Sequence, residues 1–365
     1  MDAGMRLARA LCYLVACAFH GTSPDPARPE GIDPKKLYEF ACRHALAPMA
    51  ACALEQGGLT DEEALRAFAE EKARALRRYV LLSSERERVR QALAEAGVWT
   101  APLKGEDVAR CWPAPELRRS VDVDLLIPAE GRREAARVME ALGYAREGDP
   151  EKPTHEMNFS KAPIYYFELH DALFGGDFCS WDEHFAPLHD RLREEGDLRL
   201  RLTPEDAYVY FIAHAGKHDH YAGIGLRFLV DLYALNTRRS DEFDTNYVSR
   251  ELAEKLFASP EREPQLTKEE ETHLLSMAEA GTYGTFSRQV ENELRRTAGE
   301  KMTAGAKLAY LWHRAFPPRG YFLRTDAACA RDPRRIPAAR LRRLGNYLRH
   351  PRKLIAELKT VSKTK

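Results

Sequence analysis

The stretch VDVDLLI, residues 121–127, constrains the fold more than any other part of this chain. Its apolar positions repeat with period two. In an extended strand successive side chains point to opposite faces, so Val121, Val123 and Leu125 pack one way while Asp122 and Asp124 share the other face. Two carboxylates this close on a partly buried strand repel each other, and desolvation adds to the penalty, so the arrangement calls for a neighbouring cation. Oxygen ligands of this kind suit Mg²⁺ or Mn²⁺, which take one or two carboxylates and leave the other positions to water and substrate phosphate. A plainer role also fits an isolated Asp-x-Asp: one acid caps a turn and the other pairs with Arg118 or Arg119.

The flanking sequence has a different period. From Pro34 to Gly97 apolar residues recur every three to four positions, with Asp33-Pro34 and Thr60-Asp61-Glu62-Glu63 as helix starts and Gly97 as a stop. Period two begins at VWTAPLKG and returns in VDVDLLI, HEMNFS and PIYYFELHDAL, interrupted by the amphipathic EGRREAARVMEALGY. After Thr203-Pro204-Glu205-Asp206 the pattern is helical again. The expected architecture is therefore α+β. A helical region spans 1–97, a small mixed sheet with helices 98–175, a second helical region 176–330, and a basic tail 331–365.

Composition narrows the partners. The 56 Lys and Arg balance 56 Asp and Glu, so no global field favours nucleic acid or membrane. The tail from Arg331 holds twelve Lys or Arg against Asp332 and Glu357; it invites RNA or anionic lipid by charge alone, but it lacks an aromatic ladder, and a solvated helical end is the preferred reading. The seven cysteines, Cys179 among them, are odd in number with no CxxC pair, which fits a reducing cytoplasm. The apolar run Leu7 to Phe19 is 13 residues, short of the ~20 a membrane-spanning helix needs; a signal-peptide core is the alternative, and a buried N-terminal helix is the preferred reading.

Other residues extend the case for chemistry at the Asp pair. Lys104 and Gly105 close a strand and open a helix, where free backbone N–H groups and a glycine admit a phosphate, although a strand-end lysine is also expected to be solvated. Glu168, in YYFELH, is a further acid in an apolar strand, and three converging carboxylates fit two-metal phosphoryl transfer. His170 shares the face of Glu168; Asp171 points away. Arg118 either reaches a phosphate or holds the Asp pair. His214 and His218 have the i, i+4 separation of two zinc ligands; facing a cleft, His214 and Lys217 would meet nucleotide phosphates or acceptor. Arg227 and Asp231 read as a helix-surface ion pair.

Taken together, LKG, LRxxxDxDLLI, a helix ending in LGY, FELH and AHAGKHDHYAGIGLRFLVDLYAL resemble the uncharacterised nucleotidyltransferase family of the DNA polymerase β-like superfamily, over roughly residues 35–290. The resemblance implies transfer of a nucleoside monophosphate from an NTP, ATP first among them, to an acceptor hydroxyl, with release of pyrophosphate. It maps Gly105 to the phosphate-loop glycine, Asp122 and Asp124 to paired metal ligands, and Glu168 to the third acid. The superfamily commonly has Gly-Ser or Gly-Gly where this chain has Gly105-Glu106, and the gap to the first Asp is longer here. Glu106 beside a triphosphate would be repulsive unless it turned away. The departure leaves an alternative: a catalytically inactive nucleotide- or RNA-binding protein of the same fold.

Overall fold

A computed structural model describes residues 3–29, 31–148, 154–174, 185, 187–235, 247–282, 284–298, 302–349 and 351–364. Cys179 and the expected core boundary at 175/176 lie outside the described residues. The chain divides into two compact units, one of Met1–Gly148, His155–Gly216 and Ile224–Thr282, the other of Asp149–Thr154, Lys217–Gly223 and Tyr283–Lys365.

In the first unit, helices α1 (Ala3–His20), α2 (Pro34–Arg43) and α3 (Ala47–Leu54) precede the long α4 (Glu62–Glu95). The run Leu7 to Phe19 lies within α1, and Leu11, Leu14 and Val15 are fully buried. No described helix is long and apolar enough to cross a membrane. The Asp33 carboxylate accepts from the N–H groups of Lys35 and Lys36, and Asp61 accepts from Ala64, which satisfies donors that each helix start leaves free. Gly97, at φ 77°, takes the left-handed conformation that ends α4.

The five-stranded sheet has the order β1-β2-β5-β4-β3, from β1 (Ala101–Pro102), β2 (Val123–Leu126), β3 (Ala145–Glu147), β4 (Glu156–Lys161) and β5 (Tyr165–His170). The sheet is mixed: β2 and β5 run parallel, and the other pairs are antiparallel. The expected strand at VWTAPLKG shrinks to two residues. Pro102 has no N–H to give a ladder, and β1 accordingly sits at the sheet edge. Thr100 instead exchanges backbone hydrogen bonds with Leu198 and Leu200 of the hairpin β6 (Arg193–Gly196) and β7 (Arg199–Arg201). The helical piece after Gly105 is only α5 (Gly105–Ala109).

One face of the sheet is apolar. Val123, Leu125, Ile127, Met157, Phe159, Phe167 and Leu169 bury against Leu82, Val89 and Leu93 of α4 and against Ala135, Val138 and Met139 of α6 (Arg132–Ala141). Glu85 of α4 locks this layer by accepting from Arg88 and from the Tyr144 hydroxyl, with Lys161 3.4 Å away. The opposite face of β2 carries Asp124, which leads to the site.

In the second unit the basic tail is not a loose end. Helices Ile336–Arg349 and Pro351–Lys363 pack there, Val361 joins Val290, Leu294 and Tyr310 in a small core, and buried Glu357 accepts from Tyr310 and Arg314.

Candidate active site

The sheet register brings the predicted acids together. Asp124 and Glu168 are direct partners across the parallel β2–β5 pair, so their side chains leave the same face from strands about 4.8 Å apart. Asp122 lies two residues before Asp124, at the mouth of β2. Carboxylate oxygens of Asp124 and Glu168 and a ring nitrogen of His170 all lie within 4.8 Å of one another.

Two cations hold Asp124. Lys104 Nζ and His170 Nε2 each lie 3.1 Å from Asp124 Oδ1, and His170 Nε2 is 3.5 Å from Glu168 Oε2. Burial would raise the Asp124 pKa, but the Lys104 ammonium and the hydrogen bond from His170 hold it well below the usual carboxylate value. Burial likewise opposes charge on Lys104 and His170, and their anionic surroundings raise both nonetheless. Asp122 is treated differently. Burial, then the charges of Asp124 and Glu168, push its pKa up to about 6. Lys104 offsets this only in part. The group whose ligand atoms lie close enough together to hold a metal ion is Asp124, Glu168 and His170, with Asp122 beside it on the chain.

Lys104 is therefore not solvated: it sits at φ 45°, a left-handed conformation costly for a residue with a Cβ, and it turns its ammonium inward to Asp124. Gly105 has no such φ. A Cβ there would lie 3.3 Å from Ser120 Oγ and 3.8 Å from Arg118 Nη1, so glycine lets the turn lie against the loop that leads into β2. Glu106 turns to Arg86, 3.0 Å away, and to Arg110, which removes the repulsion a free carboxylate would exert there.

Arg118 lines the small cavity that Asp122 and Asp124 also line, and its guanidinium pairs with Asp231 of the helix Leu226–Leu235, with Nε–Oδ1 at 2.7 Å and Nη2–Oδ2 at 2.9 Å. Nη1 donates to the Gly105 carbonyl at 3.3 Å, and Trp112 Nε1 donates to Asp231 Oδ1. The expected i, i+4 ion pair of Arg227 with Asp231 is present, Nε–Oδ2 4.0 Å, but Asp231 is 2% exposed, so the pair is buried rather than on the helix surface; Arg227 also donates to the Arg119 carbonyl. A bidentate pair wins because Arg offers two parallel donors to one carboxylate.

His214 is half-buried on the helix Pro204–Tyr221, its ring 5.8 Å from that of Tyr210, which in turn lies 6.0 Å from Lys104 Nζ. Lys217 and His218, further along that helix, group with the second unit. Neither His214 nor His218 belongs to a cluster with metal-holding geometry among the described residues. Asp171 faces away from Glu168, as its strand position dictates, and pairs with Arg132.

One cavity adjoins the acids, and a second is lined by none of Lys104, Gly105, Asp122, Asp124, Glu168 or His170. The first, of about 50 Å³, lined by Arg78, Arg86, Gly105, Ser120, Asp122 and Asp124, has room for an ion and its water but not for a nucleotide. The other, about 560 Å³, is lined by Trp99, Leu126, Pro128, Phe174, Phe185 and Leu192 and opens beyond the C-terminal end of β2.

Residues 30–261 match the family model described as uncharacterised nucleotidyltransferase. The chain belongs to that family. No match was found among curated proteins or solved structures. For this nucleotidyltransferase family member an NTP is the implied substrate, and the match takes in all of Lys104, Gly105, Asp122, Asp124, Glu168, His170 and Asp231. Of these, the pairing of Lys104 with Asp124 was missed by sequence reasoning because the two lie 20 positions apart, whereas His170 was signalled by its two-residue offset from Glu168.

Proposed function

We propose that this protein transfers a nucleoside monophosphate from an NTP, ATP first among them, to an acceptor hydroxyl, releasing pyrophosphate, with Mg²⁺ or Mn²⁺ held by Asp122, Asp124 and Glu168. The observation that carries the reading is the register of Asp124 against Glu168, with Asp122 two residues before Asp124 on the same chain. A divalent ion there supplies charge neutralisation for the polyphosphate and for the attacking oxygen.

The chain's own residues do the rest. Lys104 stands in as counter-ion to Asp124 and is positioned to turn to the triphosphate, and Gly105 keeps the turn narrow. Glu168 positions or deprotonates the acceptor hydroxyl, with His170 fixing its orientation at 3.5 Å. His214 is assigned to nucleotide contacts on the strength of its helix position alone.

The test is pyrophosphate release from an NTP with Mg²⁺, comparing the native protein with Asp122→Asn and Asp124→Asn. Loss in both variants is expected; equal release in both removes the acids from the reaction. Mg²⁺-independent nucleotide binding without release would favour the inactive-binder alternative.

A further inference from the structure

His170 looks in two directions. Its Nε2 is hydrogen-bonded to Asp124, while its Nδ1 is buried and finds no hydrogen-bond partner among the described residues, in a residue only 3% exposed. A buried ring nitrogen left unpaired is costly and asks what it is for. The same ring belongs to a second cluster: ligand atoms of His155, Glu156 and His170 all lie within 4.8 Å of one another. His155 Nε2 is 3.6 Å from Glu156 Oε2, and the rings of His155 and His170 are 6.0 Å apart.

We propose that His155, Glu156 and His170 form a transition-metal site of the Zn²⁺ class, separate from the site of Asp122, Asp124 and Glu168. Two imidazoles and one carboxylate make a three-ligand set that leaves a fourth position for water, and such a set suits Zn²⁺ better than Mg²⁺. Ligands about 2.0–2.1 Å from a tetrahedral ion stand roughly 3.3 Å apart, so the His155–Glu156 separation of 3.6 Å needs almost no change and no spacing in the group needs to contract by more than about 1.5 Å.

The backbone already holds the three together. Glu156 and His170 are direct partners across the antiparallel β4–β5 pair, and the N–H of Asp171 donates to the His155 carbonyl at 3.0 Å. Arg132 pairs with Asp171 and donates to the Glu156 carbonyl, which ties the helix that carries it to this corner of the sheet. The side chains of His155 and Glu156 are 21% and 32% exposed, which gives an ion a way in. The Asp124–His170 hydrogen bond supplies the remaining element: a metal-ligating histidine ordinarily donates its other N–H to a carboxylate, which fixes the tautomer and raises the basicity of the ligating nitrogen. Asp124 would then link the two sites, as ligand in one and as support for a ligand in the other.

The experiment is titration of chelator-stripped full-length protein with ZnCl₂ by calorimetry, and with Co²⁺ followed by its visible absorption. One Zn²⁺ per chain is expected, with a Co²⁺ spectrum of four-coordinate type. Affinity should fall at least about tenfold in His155→Ala and in Glu156→Gln, whose half-exposed positions spare the core, and about 10–100-fold in Asp124→Asn through the lost carboxylate support. Asp122→Asn should keep the Zn²⁺ site, so failure of the phosphoryl-transfer reading and failure of this one are told apart. No stoichiometric Zn²⁺, or affinity unchanged in both His155→Ala and Glu156→Gln, overturns the proposal.

Discussion

Replacing Asp231 by Asn keeps the side chain's shape and removes its charge, and the structure says where the loss falls. Arg118 is 8% exposed and Asp231 2%, their two short contacts run in parallel, and Trp112 adds a third donor to the same carboxylate. Removing one partner of such a pair leaves a buried guanidinium uncompensated, which typically costs about 3–5 kcal/mol, against about 0–1 for a surface pair. Asp231→Asn should therefore lower the unfolding free energy by roughly 3–4 kcal/mol in urea titration. Arg227→Met, which touches Asp231 only at 4.0 Å, should cost about 1 kcal/mol or less. The double variant Arg118→Met/Asp231→Asn should recover part of the loss, because no buried charge is then left alone. Because Arg118 Nη1 also donates to the Gly105 carbonyl, weaker NTP binding should accompany the loss of stability. A cost below about 1 kcal/mol for Asp231→Asn, or strict additivity in the double variant, would refute the reasoning.

Three further outcomes follow from other buried groups. His44 is fully buried, receives the Leu226 N–H on Nδ1 and presents Nε2 to the Ala278 carbonyl, and burial lowers its pKa from 6.5 to about 4. The unfolded chain takes up a proton before the folded one does, so stability present above pH 6.5 should fall by about 3 kcal/mol as pH drops to 4, and the slope should be shallower in His44→Asn. Glu85 is held down to about 2, chiefly by Arg88 against burial, with Tyr144 and Lys161 assisting; its contribution is present above pH 4.5 and lost as pH falls toward 2. Glu85→Gln should thus cost about 2–3 kcal/mol in thermal unfolding at pH 7, and the gap to the native protein should shrink at pH 3. Lys104→Ala, which keeps the strained φ and deletes the cation, should lower Tm without Mg²⁺ and gain more from added Mg²⁺ than the native protein does.

What could be read from the sequence was local. Asp33 and Asp61 announced their helices because a cap acts within three residues, and Gly97 ended α4 for the same reason. Asp122, Asp124, Glu168 and His170 were legible because strand alternation fixes a face two residues at a time. The α+β fold followed from the change of period at Gly97. What escaped depended on distance along the chain. Arg118 finds Asp231 113 positions away, and no spacing rule links them, so that pairing was not legible. His155 meets His170 only because β4 lies beside β5 in the sheet, an order that the sequence of strands does not dictate. Glu106 looked repulsive until Arg86, on α4, was seen to neutralise it.

The account turns on divalent ions relieving the charge of Asp122, Asp124 and Glu168 while they bind a polyphosphate. Calorimetry of a non-hydrolysable NTP against the native protein and Asp124→Asn, each with and without Mg²⁺, tests this most directly. The prediction is binding at least about tenfold tighter with Mg²⁺ in the native protein, equivalent to about 1.4 kcal/mol, and no such gain in Asp124→Asn. Equal affinity with and without Mg²⁺ in the native protein would contradict it.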